Sequence, residues 1–211
     1  MHFTATTYDE FPGKGYIPSG NPRQVLGSFT LDGNVEIIRH LKSPNNQRCE
    51  KNWMPYRNNS LIYKCDPFTI IDLESNVIKK EETELNLSKL RGSASPIPFK
   101  FRSIYNPMIN LIEIFEEGGY LSIMHEVHFD NNLRYYRHRF VFIHNDFVKF
   151  VSLPFTFQGG KIEYTCGMVL SKDESKLLIT FGKNDNTAHI AEMEVCDIYD
   201  LFNFDPDFLS K

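Results

Sequence analysis

What most constrains this chain is a rhythm: short apolar and aromatic runs, each closed within a few positions by Gly, Asn, Asp or Ser. His2–Thr6 alternates, and Gln24–Leu31 and Val35–His40 flank Asp32-Gly33-Asn34. Leu61–Cys65 and Phe68–Leu73 flank Asp66-Pro67, and Leu111–Phe115 and Tyr120–His128 flank Glu116-Glu117-Gly118-Gly119. Tyr135–Ile143 and Phe147–Leu153 straddle His144-Asn145-Asp146, while Tyr164–Leu170, Lys176–Phe181 and His189–Val195 are joined by Ser171–Ser175 and Gly182–Asn186. Runs of this length bounded by turn residues read as strands and hairpins, and about a dozen of them predict an all-β chain. The 18 Phe and 10 Tyr favour the same reading, because aromatic side chains suit a pleated, half-buried surface.

Two segments depart from the rhythm. Ile78–Arg91 carries Glu81, Glu82, Glu84 and Lys89 and reads as a polar excursion or short helix; Asp197–Phe202 reads as a final helical turn. With no low-complexity tract or linker, residues 1–211 are expected to form a single domain. The pattern of strand, polar cluster and hairpin restarts after roughly 45–60 residues, as propeller blades do; a jelly roll or sandwich gives a similar strand count.

Charge and cysteine spacing exclude several functions. The 23 Lys and Arg against 27 Asp and Glu give a net charge of −4, and Arg134, Arg137 and Arg139 are separated by aromatics, so no nucleic-acid partner is expected. Cys49, Cys65, Cys166 and Cys196 form no Cys-x-x-Cys pair, so no metal and no cofactor are expected. No apolar run approaches the roughly 20 residues of a membrane helix. Free thiols and no recognisable leader predict a cytoplasmic protein.

The polar clusters each carry two readings. Glu50-Lys51-Asn52-Trp53 joins the only Trp to hydrogen-bonding side chains, an arrangement that suits either a sugar or a core Trp at a strand start. Asp9 and Glu10 follow a strand, either as a general acid or as solvated carboxylates. Arg91-Gly92-Ser93-Ala94-Ser95-Pro96 reads as a small-residue turn that can offer backbone N–H groups and a guanidinium to an anion. His125-Glu126-Val127-His128 is not a helical metal motif, since residues 125 and 128 of a strand point to opposite faces. In Tyr135–Phe140, Tyr136, His138 and Phe140 share one face, and Arg137 and Arg139 share the other, as an anion site or as a charged outer face. Gln158 and Asp185 lie in turn segments whose Gly, Asn and Asp are explained by turn geometry alone.

Taken in order, these segments resemble a known group. Thr4-Ala5 followed by Tyr8-Asp9 is similar to the Tyr-Thr-Ala-Tyr-Asp strand of the five-bladed propellers of glycoside hydrolase family 130. The run from Cys166-Gly167-Met168 through Phe181-Gly182-Lys183-Asn184-Asp185 to Ala188-His189-Ile190-Ala191 looks like their closing blade. Glu50–Pro55, Arg91-Gly92, Tyr120–Glu126 and Tyr136–Phe140 resemble related glycosyltransferase-like propellers of bacteria and large viruses. The resemblance implies a five-bladed β-propeller, either with part of it outside this sequence or with fewer blades. It implies mannosyl transfer between a phosphate- or nucleotide-activated sugar and a glycan acceptor, by a glycosyltransferase or glycoside phosphorylase. The alternative is a catalytically inactive glycan-binding module. The general acid falls on Asp9 with a two-residue insertion; without a gap the position is Thr7. Glu50, Asn52, Trp53, Arg91, His125, Glu126, Tyr136, Arg137, His138, Gln158 and Asp185 are the implied substrate contacts, with Arg91 or Arg137 on the anion.

Overall fold

The alternating apolar runs become strands almost wherever the sequence places them. In a computed structural model, residues 2–7, 10–11, 15–16, 23–46, 50–101 and 117–202 are described. They form β1 (His2–Thr7), β2 (Glu10–Phe11), β3 (Gly15–Tyr16), β4 (Arg23–Phe29), β5 (Val35–His40), β6 (Met54–Tyr56), β7 (Ser60–Cys65), β8 (Phe68–Asp72) and β9 (Val77–Glu81). There follow β10 (Leu90–Phe99), β11 (Gly119–Asp130), β12 (Leu133–His144), β13 (Phe147–Val151), β14 (Glu163–Leu170), β15 (Lys176–Lys183), β16 (Thr187–Glu194) and the helix α1 (Val195–Leu201). The expected strand Leu111–Phe115 lies outside the described residues. Among those described, no helix is long and apolar enough to cross a membrane.

The chain divides into two compact units, Met1–Lys64 with Thr69–Lys80, and Cys65–Phe68 with Glu81–Lys211. In the first, β1, β4 and β5 form one sheet in that order, β2 pairs with β3, and β6–β7–β8–β9 are hydrogen-bonded in chain order. Its core gathers Leu26, Leu41, Trp53, Leu61, Tyr63 and Ile71. The expected hairpin at Asp32-Gly33-Asn34 is present: Gly33, at φ +89°, donates its N–H to Thr30 O at 3.0 Å, and Phe29 pairs with Val35. The turn after β8 is held by Asp72, whose carboxylate accepts from the Asn76 side-chain amide at 2.9 Å and from the backbone N–H groups of Asn76 at 2.8 Å and Glu74 at 2.9 Å, and so sits below the usual Asp pKa.

The second unit is built from two antiparallel meanders, β10–β11–β12–β13 and β14–β15–β16, each in chain order. Leu121 and Ile123 of β11 and Phe140 and Phe142 of β12 share a core with Leu177 and Ile179 of β15 and with Val195 and Ile198 of α1. Phe101 packs edge-on against Phe142, with centroids 4.8 Å apart. Leu153 N–H donates to Leu201 O at 2.6 Å, fixing the end of α1 on this core.

Two expectations need correction. Ile78–Arg91 is not helical: its first residues complete β9, at the edge of its sheet, and its last two open β10. Of the charges that suggested a helix, Glu81 ends β9, half-buried, while Glu82, Glu84 and Lys89 are exposed in the bends and turns between β9 and β10. Arg91–Pro96 is not a turn but part of β10. β10 ends its sheet, where the missing N–H of Pro96 is tolerated.

Among the described glycines, the tightest backbone approach is at Gly119, where an added Cβ would stand 2.4 Å from Ile143 O and 2.7 Å from the Phe142 ring. Gly119→Ala is therefore expected to lose about 1–3 kcal/mol of stability. A chemical-denaturation midpoint equal to that of the parent protein would show that this strand start is not closely packed.

Candidate functional site

The β11–β12 register decides which polar residues meet. His125 lies directly opposite His138, Ile123 opposite Phe140 and Leu121 opposite Phe142, so these six share one face. That face is apolar over most of its length and turns polar at His125, His138 and Tyr136. His125 and His138 are both buried, at 2% and 0% exposure.

Two β-bulges border this polar end. In β10, Gly92 pairs with Met124 and Ala94 with Ile123, leaving Ser93 as the extra residue. In β14, Thr165 pairs with Phe181 and Gly167 with Thr180, leaving Cys166 as the extra residue. A bulge re-aims neighbouring side chains. Here Ser93 Oγ lies 2.7 Å from His125 Nδ1, and Thr165 Oγ1 lies 3.2 Å from His138 Nδ1. The Tyr136 ring lies over His125 with centroids 4.6 Å apart, and Tyr164 meets the same imidazole edge-on at 5.5 Å. The Arg134 guanidinium stands 5.3 Å above the Tyr136 ring. The cluster thus joins two buried imidazoles and buried Thr165 to half-buried Ser93, Tyr136 and Tyr164 and exposed Arg134.

Burial sets the protonation of this cluster. The Tyr164 phenol is pushed up to about 12, so it stays a hydrogen-bonding hydroxyl at neutral pH. His138 is pushed down to about 4, with Glu163 opposing the shift, so it is neutral at neutral pH. Its Nε2 has no hydrogen-bond partner among the described residues. Phe155 and Phe157 flank the ring at 5.7 and 4.9 Å. The arrangement offers hydroxyl and imidazole hydrogen-bonding groups beside aromatic faces, the chemistry that reads a hydroxyl-rich ligand.

Glu126, adjacent to His125 in sequence, belongs to the opposite face. Its Oε1 accepts from Arg139 Nε at 2.5 Å, and its Oε2 meets His128 Nε2 at 2.9 Å. Arg139 also donates from Nη1 to Ser152 O at 2.7 Å. The charged outer face expected for Arg137 and Arg139 is therefore corrected in part: Arg137 is exposed, whereas Arg139 is 5% exposed and paired. Arg91 is exposed and donates to Ser88 O at 2.8 Å and to Leu90 O at 2.7 Å.

Gln158 and Asp185 are exposed, and Gln158 Oε1 accepts from Lys183 Nζ at 2.9 Å. The loop before β14 is held by Glu163, fully buried, whose carboxylate accepts the N–H groups of Phe157 at 2.7 Å and of Gln158 and Gly160 at 2.9 Å. Among the described residues, no group of three or more His, Cys, Asp or Glu side chains is placed to hold a metal ion.

In the first unit, Glu50, Asn52 and Trp53 occupy one short segment. Glu50 is buried; its Oε2 accepts from Trp53 Nε1 at 3.1 Å, and its Oε1 accepts from the Tyr63 hydroxyl at 3.1 Å and from Ser43 Oγ. The Trp53 indole is buried and meets the Tyr63 ring edge-on at 5.2 Å. Burial, and then the Glu50 charge, raise the Tyr63 pKa. Asn52 holds a left-handed backbone at φ 64°. Asp9 lies outside the described residues.

Of the residues singled out in the sequence, the second unit brings His125, Tyr136 and His138 together. Sequence reasoning missed Tyr164, Thr165 and Glu163 as partners and read Ser93 only as a turn residue. No protein-family model matches this chain, and no curated protein matches it. The functional reading therefore rests on the side chains themselves.

Two predictions follow from these contacts. Between pH 6.5 and about 4 the unfolded chain binds a proton at His138 that the folded chain refuses, so stability falls as pH falls through that window. The full loss is roughly 3 kcal/mol at 1.36 kcal/mol per pKa unit. In His138→Gln the slope of unfolding free energy against pH over that range should flatten, and an unchanged slope would remove His138 as its source. Separately, Glu50→Ala strips the Trp53 N–H and the Tyr63 hydroxyl of their acceptor and is expected to cost about 3 kcal/mol. Denaturation followed by the fluorescence of the single Trp measures this directly.

Proposed function

We propose that this chain is a propeller-type protein whose second unit binds a carbohydrate at the Ser93–His125–Tyr136–Tyr164 cluster. The supporting observation is the pair of bulges that places Ser93 on His125, whose ring meets the partly exposed Tyr136 and Tyr164, and Thr165 on the neighbouring His138. The aromatic faces cover the C–H surface of a sugar ring, and the serine, imidazole and phenol groups exchange hydrogen bonds with its hydroxyls. Arg134, above Tyr136, is placed for an anionic substituent such as a sugar phosphate. Consecutive antiparallel meanders are the building pattern of propeller blades, which supports that architecture.

A second reading is glycosyl transfer, most simply of a mannosyl group, with Asp9 as general acid. It is favoured by Thr4 and Ala5 lying in β1, paired with Leu26 and Val25, as the similar Thr-Ala strand of family 130 propellers requires.

Calorimetric titration with mannose, mannose 1-phosphate and GDP-mannose tests the binding reading. Tyr136→Ala is expected to weaken the ligand that binds by tenfold or more, the loss of about 1.4 kcal/mol. Affinity unchanged in both Tyr136→Ala and His125→Ala would move the site elsewhere. Product formation abolished by Asp9→Asn would select the transferase reading, and binding without product would select the module.

A further inference from the structure

The face that carries the cluster runs on past it. β10 pairs with β11 only as far as Leu90↔Glu126, whereas β11 and β12 stay paired for four positions more, to Asp130↔Leu133. Along that arm, Val127 and Phe129 of β11 and Tyr136 and Arg134 of β12 continue the face of His125 and His138. Exposure rises along it: His125 is buried, Val127 and Tyr136 are half-buried, and Phe129 is 73% exposed.

Three chemistries therefore follow one another on one surface. At the buried end, Ser93 and Tyr164 meet His125. Next comes the Arg134 guanidinium, reaching back over the Tyr136 ring at 5.3 Å. Last comes the open ring of Phe129, on the strand position directly opposite Arg134. From His125 to Phe129 the strand advances about 13 Å, at roughly 3.3 Å per residue. The β11 and β12 residues of this face include no carboxylate, since Glu126 and Asp130 alternate onto the other side. Arg134 is exposed, and nothing on its own strip neutralises it.

We infer, building on the carbohydrate reading of this cluster, that its ligand is a nucleoside diphosphate sugar rather than a sugar 1-phosphate. The sugar lies against Ser93, His125 and Tyr164, the diphosphate on Arg134, and the base on Phe129. A guanidinium holds phosphate oxygens through paired N–H donors. An open aromatic ring covers the flat face of a base, whichever base it is. In such a ligand the sugar, the diphosphate and the nucleoside are joined in the order in which the strip offers its groups. A sugar 1-phosphate would end at Arg134 and leave Phe129 bare.

Calorimetric titration of the parent protein, Phe129→Ala and Arg134→Gln with GDP-mannose, UDP-glucose and mannose 1-phosphate tests this donor class. Both side chains are exposed, so both variants should melt with the parent. The parent should bind at least one nucleotide sugar about tenfold more tightly than mannose 1-phosphate. Phe129→Ala should lose that advantage, about tenfold, and bind mannose 1-phosphate as the parent does. Arg134→Gln should weaken both kinds of ligand. Mannose 1-phosphate bound as tightly as either nucleotide sugar overturns the donor class and leaves the carbohydrate site standing. So does a nucleotide sugar held equally by Phe129→Ala and the parent. No binding of any of the three overturns the carbohydrate reading as well.

Discussion

The second unit depends on one hairpin. β11 and β12 pair without interruption from Tyr120↔Ile143 to Asp130↔Leu133, and the two-residue turn Asn131-Asn132 closes it with both residues in the left-handed region, at φ 47° and 61°. Asn adopts that backbone more readily than most residues, and a two-residue turn of this hand matches the twist of the strands. A slip of one position would send every side chain to the wrong face. His125 and His138 would trade places with Glu126 and Arg139, and the apolar layer of Ile123, Phe140 and Phe142 would lose its register with β15 and α1.

The same alternation separates two kinds of polar chemistry. On one face, Glu126 and Arg139 form a buried charged pair, with half-buried His128 on the second Glu126 oxygen, and these bonds are made within the protein. Removing either member of the Glu126–Arg139 pair would strand a charge, a loss of about 3–5 kcal/mol, so this set specifies the fold. On the other face, His125 neighbours the half-buried Ser93, Tyr136 and Tyr164, and His138 neighbours the buried Thr165. The partner of His125 Nδ1 here is the neutral hydroxyl of Ser93 on the β10 bulge, not a carboxylate. Glu163 supports the arrangement by gathering three backbone N–H groups of the loop that carries Phe157.

Strands and hairpins were legible in the sequence because a period of two between turn residues has few other solutions. The Asp32-Gly33-Asn34 and His144-Asn145-Asp146 turns show this well. So does the division of Tyr136, His138 and Phe140 from Arg137 and Arg139, which follows from alternation alone. For Ile78–Arg91 the polar excursion holds between β9 and β10 and the short helix does not, because charges at helical spacing look the same in a turn segment as on a helix. Ser93 and Thr165 were not legible as site residues, because a bulge is a property of two paired strands and sequence shows only one at a time. Trp53 was legible as either a sugar platform or a core residue, and Glu50 illustrates the point that decided its surroundings: a buried carboxylate bonded to the indole N–H, the Tyr63 hydroxyl and Ser43.

The central claim is that the hairpin register and the two bulges together make a carbohydrate site of Ser93, His125, Tyr136 and Tyr164. A crystal of this chain soaked with mannose 1-phosphate tests it most directly. The account predicts a sugar ring against Tyr136 or Tyr164 with a hydroxyl within about 3.2 Å of Ser93 Oγ or of His125. A sugar ordered elsewhere, with this cluster unoccupied, would contradict it.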